Sequence, residues 1–192
     1  MMSRQRGASK MIKIWLDDLA ESAKNLKKTR VMVACAMLLA IEVVLNATAS
    51  VYLFSYLRLS FGYLAVAAAA YLFGPSPAML IAALSDIIVF LIRPSGPFFP
   101  GFTLNAALGG LVYGLAFYRA KEVNWTRILV SQAVIAVVLH IALNTLWLSL
   151  TLGKGFIALL PARALKNAIQ YAIDVPLLYF LLQFLKRQFR KG

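Results

Sequence analysis

One cysteine, one histidine and seven acidic residues in 192 leave this chain short of the groups on which catalysis and metal binding draw. Cys35, alone within an apolar run, excludes an intrachain disulfide and a cysteine-based metal site. His140, equally alone, excludes the H-E-x-x-H zinc motif. Neither a G-x-S-x-G nucleophile elbow nor a G-x-x-x-x-G-K-[ST] phosphate loop is present, so hydrolysis of ATP by this chain itself is not expected. The carboxylates show no pairing at catalytic spacing, since Asp17 and Asp18 belong to a polar-faced helical stretch. The residues predict no enzyme, no cofactor and no metal.

What is abundant is apolar sequence. Hydrophobic residues make up 61% of the chain and charged residues only 14%, where globular proteins carry about 45–50% apolar residues. The net charge of +13 raises the possibility of nucleic acid as a partner. The basic residues flank apolar runs, however, and membrane orientation explains them better. No cleavable signal peptide is evident, and a bacterial inner (cell) membrane is the expected location.

Residues 1–9 read as a disordered basic tail. From Lys10 to Lys28, Ile12, Trp15, Leu16, Leu19, Ala23 and Leu26 recur at helical spacing opposite Asp17, Asp18, Glu21, Lys24 and Lys27. That pattern fits an amphipathic helix on the membrane surface, or a helix packed on the bundle. Six apolar segments follow: Val31 to Ser50, Leu57 to Phe73, Ala78 to Ile92, Gly101 to Tyr118, Ile128 to Leu152 and Pro161 to Leu185. The second and third are short for a bilayer and need protein cover or local thinning. The expected architecture is an all-α integral membrane protein. Residues 1–29 form a cytoplasmic tail and surface helix, and residues 30–192 a bundle of six transmembrane helices.

With both termini in the cytoplasm, 15 of the 20 Lys and Arg lie on the inner side. Arg58, Arg93, Lys154, Arg163 and Lys166 remain, at the outer ends of segments or in outer loops. They either snorkel to lipid phosphates or form an outward-facing anion site, and for Arg58 and Arg163 the site is preferred. Between segments three and four, Pro94, Pro97 and Pro100 forbid continuous helix. Phe98, Phe99 and Phe102 give that loop flat apolar faces suited to covering a ligand. Asn105 and Asn144, near the level of the outer loops, can read the edge of a heteroaromatic ring or join helices. Glu42, Asp86, His140 and Asp174 lie deeper, where buried pairing or helix-to-helix locking is the first explanation, and accepting paired donors from a ring is a second use for Asp86. Ala36 with Ala40, and Ala106, Gly109, Gly110 and Gly114, mark close helix packing.

LRLSFGYL (Leu57 to Leu64), LFGPSPAML (Leu72 to Leu80) and SDIIVFLIRPSGPFFPGFTLNAALGGLVYG (Ser85 to Gly114) together resemble the folate family of S-components of energy-coupling factor transporters. NTLWL (Asn144 to Leu148) and LPARALKNAIQ (Leu160 to Gln170) extend the resemblance over nearly the whole chain from Lys10, and the Gly-Pro-x-Phe-Pro-Gly-Phe loop is its most specific part. Gly62-Tyr63-Leu64-Ala65 departs from the Phe/Ile/Pro-like run expected there. The resemblance implies a six-helix membrane subunit that captures the vitamin from outside. A transmembrane coupling protein and two ABC ATPases would power its release. It implies that Ala36 and Ala40 meet the coupling protein. A folate would stack its pterin on Tyr63, Phe98 or Phe99, bond to Asn105, Asn144 and Gln170, and set its carboxylates against Arg58, Arg163 or Lys166. The alternatives are an S-component for another vitamin or pterin-like metabolite, a membrane-embedded enzyme using Asp86, His140 or Asp174, and a scaffold for a protein partner. No nucleic acid is implied.

Overall fold

The computed structural model of the protein describes residues 2–48, 51–54, 57–94, 98–120, 122–152 and 156–189, with backbone alone for 2–12, 51–54, 57–59, 152, 156–159 and 162. Helix α1 (Met2–Asn25) precedes α2 (Thr29–Thr48), and a short hairpin of β1 (Val51–Phe54) and β2 (Leu57–Leu59) leads to α3 (Tyr63–Phe73). Next come α4 (Pro75–Ile92) and α5 (Pro100–Phe117). A long element then joins α6 (Trp125–Val134), a π-helical stretch over Ile135–Leu143 and α7 (Asn144–Leu152), and α8 (Phe156–Phe189) closes the chain. Five described spans are long and apolar enough to cross a membrane: Thr29–Thr48, Pro75–Ile92, Pro100–Phe117, Trp125–Thr151 and Arg163–Phe189. With the shorter α3 they make the six-helix membrane fold.

Two expectations change. The stretch read as a disordered tail is helical from Met2, because Gln, Arg, Ala, Lys and Met favour helix and no proline interrupts them. The second apolar segment starts its helix at Tyr63 rather than Leu57, and the preceding residues pair as antiparallel strands with Tyr52 opposite Arg58. Aromatic and branched residues such as Val51, Tyr52 and Phe54 suit strand pairing. Helix α3, only 11 residues long, meets one of the two expected accommodations of a short segment. At about 1.5 Å per residue it spans roughly half of a ~30 Å hydrocarbon core. Protein covers it: Ala65, Val66, Ala67, Ala68, Ala69 and Ala70 are all buried.

Small residues set the closest contacts. Gly74 joins α3 to α4 with φ 99°, a conformation that side-chain-bearing residues rarely adopt. Both α4 and α5 open on proline, whose missing N–H costs nothing in a first turn. On α5, Gly110 and Gly114 face the backbone of Ala78 and Pro75 on α4. The α-helical spacing of Ala78, Ile81, Ala82 and Ser85 on α4, and of Leu178, Leu182 and Leu185 on α8, turns those residues inward. Leu80, Leu91, Phe180 and Phe184 point the other way, toward the lipid side.

Helix α1 packs on the bundle. The Ser22 hydroxyl, fully buried, donates to the backbone carbonyl of Leu19 at 3.0 Å and lies 3.1 Å from the Ser76 hydroxyl, which in turn donates to Leu19 at 2.9 Å. Arg119 donates to Asp18 and Glu21 at 3.4 and 2.5 Å. These contacts place α1 beside the α3–α4 turn and the end of α5. Partial burial pushes the Asp18 carboxyl above its ordinary value, against the pull of the Arg119 guanidinium.

Candidate functional site

Inside the bundle lies a cavity of about 320 Å³ to which α2 through α8 all contribute. Its polar lining forms three groups. In the first, Asp174 on α8 accepts from both sides: the Gln132 amide donates to Oδ2 at 2.6 Å and the Gln170 amide to Oδ1 at 2.5 Å. Tyr113 then donates its hydroxyl to Gln132 Oε1 at 2.8 Å, and Gln170 also reaches the Ser60 carbonyl at 3.3 Å. Tyr63 stands beside Asp174, yet its buried hydroxyl has no hydrogen-bond partner among the described residues. This network ties α8 to α5, α6 and the entry of α3.

The second group joins α2 to α4. Glu42 comes seven residues after Cys35, so both occupy the inward face of α2, and both are buried. Ser85 and Asp86 are the neighbours of Glu42 across the interface. Asp86 accepts from the Thr103 hydroxyl at 2.7 Å, whereas Glu42 Oε2 and Ser85 Oγ have no partner of hydrogen-bonding geometry among the described residues. One turn beyond Glu42, Asn46 accepts from the Ser60 hydroxyl and its amide packs closely on Gly62.

The third group is cationic. His140 on the π-helical stretch is influenced electrostatically by Lys166 and Arg163 on α8. The π stretch explains why His140 and Asn144 reach the cavity. Asn144 follows Gln132 by twelve residues, about a third of a turn out of phase in a continuous α-helix. Wider i→i+5 turns take back that excess. Ile135, His140 and Asn144 therefore follow Gln132 onto one wall.

The residues named from sequence divide accordingly. Tyr63, Asn105, Asn144, Lys166 and Gln170 line the cavity together. Asn105 donates to the Leu139 carbonyl at 3.4 Å and accepts from the Trp147 indole at 3.2 Å, so it joins helices while facing the space. Arg163 stands near His140, one turn before Lys166, outside the lining. Phe98 and Phe99 are not brought to the cavity wall. Phe98 is exposed and packs on Phe90 at 5.2 Å between ring centroids, and Phe99 packs on Phe102 and Trp147 at 5.9 and 5.4 Å. The wall aromatic from this loop region is Phe102, because α5 begins at Pro100 and turns position 102 inward. The side chain of Arg58, all of Lys154 and loop positions 95–97 lie outside the described residues. Ala36 and Ala40 sit on the exposed face of α2 with Met32, Val33, Met37, Ile41 and Val44.

Sequence reasoning assigned Glu42, Asp86, His140 and Asp174 first to helix locking, and it passed over Gln132 and Asn167. All six line the cavity. The signal available was their polarity inside apolar helices, which favours a bundle interior or an internal cavity.

The sequence profile described as ECF transporter, substrate-specific component, matches residues 30–182. A protein of Clostridium novyi (strain NT) named folate transporter FolT is 35% identical over 154 residues, covering 80% of this chain and 88% of its own. One from Leuconostoc mesenteroides subsp. mesenteroides with the same name is 34% identical over 159 residues, covering 80% and 85%. Among solved structures, one described as the crystal structure of FolT bound with folic acid superposes with a TM-score of 0.72 at 32% identity, covering 81% of this chain and 92% of that one. The matched region contains every transmembrane helix that contributes to the cavity, and the chain belongs to the substrate-specific components of ECF transporters, subunits of a membrane transport system rather than enzymes.

Proposed function

We propose that this chain captures folate in the intramembrane cavity and delivers it inward, powered by a separate coupling protein and two ABC ATPases. The observation that carries the reading is the composition of one cavity. Amide and carboxylate groups able to read a heteroaromatic edge line the same cavity as Lys166, with Arg163 close by. Folate has those two ends, a pterin and a glutamate. A volume of about 320 Å³ falls in the range of roughly 300–1,000 Å³ usual for small-molecule sites. The names of the relatives, and the ligand in the similar solved structure, support folate over another vitamin.

In this reading Tyr63 and Phe102 flank the pterin, Asn105, Asn144 and Gln170 bond to it, and Arg163 and Lys166 meet the glutamate carboxylates. Arg58 is a further candidate for that end. Phe98 and Phe99 act on the site indirectly, Phe99 by bracing Trp147 against Asn105. The termini are cytoplasmic, which puts most basic residues on the inner side beside anionic lipid head groups. The exposed Ala36 and Ala40 on α2 form a smooth strip for the coupling protein.

Isothermal titration of ligand-stripped protein in detergent tests the substrate. Folic acid is expected to bind one-to-one with submicromolar affinity, and thiamine and riboflavin not at all. Folded protein that ignores folic acid would remove folate as the substrate. The orientation of the ligand has its own test. Arg163→Ala is expected to weaken folic acid about tenfold, within the range for a charge-assisted bond at a half-buried site. A pterin lacking the glutamate should lose almost nothing. Equal losses for the two ligands would show that Arg163 does not hold the carboxylates.

A further inference from the structure

Glu42 stands apart from the other cavity carboxylates. Asp174 has an amide donor on each oxygen, and Asp86 has the Thr103 hydroxyl. Glu42 is only 6% exposed, lines the cavity, and has no donor to Oε2 among the described residues. Its neighbours do not supply one. The Ser85 hydroxyl makes no bond of proper geometry, and Asp86 is itself an acceptor. A carboxylate withdrawn from water costs several kcal/mol unless donors replace its hydration. Among the described residues the packing of α2 on α4 does not provide them, and the cavity is the side from which the donors of a bound ligand can reach Glu42.

We propose that Glu42 is the acceptor that reads the paired N–H donors on the edge of the bound ring, a role that rests on the folate reading above. The pterin carries such a pair, its 2-amino group and N3–H, side by side and coplanar. A carboxylate accepts two parallel N–H bonds in that geometry, as it does from a guanidinium. Glu42 thereby selects rings with an amidine-like donor edge, and the cations around Lys166 select the acidic tail.

The experiment compares folic acid with an analogue in which methyl replaces the 2-amino group, by titration calorimetry on wild type, Glu42→Gln and Asp86→Asn. Wild type is expected to prefer folic acid by about 30-fold, the value of one charge-assisted bond. In Glu42→Gln, folic acid should weaken by about the same factor while the analogue changes by no more than about threefold. Asp86→Asn should keep the preference. Wild type binding both ligands equally overturns the proposal, even where the Glu42 variant does not fold. So does Glu42→Gln with an intact preference, or Asp86→Asn with none. Wild type that binds neither ligand overturns the folate reading itself, and this inference with it.

Discussion

Alanine in place of Gly114 is expected to cost about 3 kcal/mol or more, enough to lower the melting temperature of the detergent-purified protein sharply or to prevent its recovery. The added Cβ would lie 2.3 Å from Pro75 Cα and 2.4 Å from Pro75 Cβ. Overpacking is tolerated when the opposing atom ends a flexible side chain. Here it belongs to a buried proline in the first turn of α4, directly after Gly74 at φ 99°. Neither partner can rotate away, so α5 must separate from α4. Gly109→Ala supplies the internal control. Its Cβ would meet only Leu139 Cδ1 at 3.8 Å, an ordinary contact. Alanine also favours helix over glycine, so this variant should melt at or above the wild-type temperature. Equal melting of the two variants would show that the α4–α5 contact does not depend on the missing side chain.

Asp174→Ala is expected to destabilise the protein by about 3–4 kcal/mol and to weaken ligand binding with it. The carboxylate is the common acceptor for Gln132 and Gln170, and Tyr113 is tied in through Gln132. Its removal strands two amide donors in a space away from bulk water, each costing about 1–3 kcal/mol. Breaking a buried charged cluster from one side costs about 3–5 kcal/mol in comparable cases. Asp174→Asn should recover much of the loss. Its amide offers one acceptor, and Gln170 can turn its carbonyl to accept the new N–H, giving up the bond to the Ser60 carbonyl at 3.3 Å. Thermal unfolding of both variants checks the order wild type, then Asn, then Ala. An alanine variant that melts with wild type would mean that the three amide and phenol groups repartner without Asp174.

Much of the architecture was legible in hydropathy. Apolar runs delimited by Arg30, Gly74, Arg93 with Pro94, and Arg119 become α2, α3 with α4, and α5 to within a few residues. Proline placed two helix starts, at Pro75 and Pro100, because its fixed φ suits a first turn and its missing donor ends whatever precedes it. The hairpin at 51–59 was not legible. Val51–Phe54 is apolar throughout and Leu57–Leu59 carries only Arg58 as a polar residue, so both read equally well as helix when a long apolar segment comes next.

The cavity was only partly legible, for a reason peculiar to membranes. In water, the apolar face of a helix is its inner face. In a bilayer both faces of α2 are apolar, so periodicity does not say that Cys35 and Glu42 point inward while Met37 and Val44 point to lipid. The loop aromatics show the same limit: Phe98, Phe99 and Phe102 are chemically alike, and the start of α5 at Pro100 alone turned Phe102 inward.

By itself, then, the sequence determined the membrane, the succession of helices, the family, and which polar residues had to be hidden from lipid, since these follow from composition and local propensity. The tertiary structure decided which hidden residues share one cavity. It set the helix phases, through the contact of Gly110 and Gly114 of α5 with α4 and through the π stretch at Ile135–Leu143, and so brought Glu42, Asp174 and His140 to walls of one space. Phase between helices is a property of their contact, and no single segment carries it.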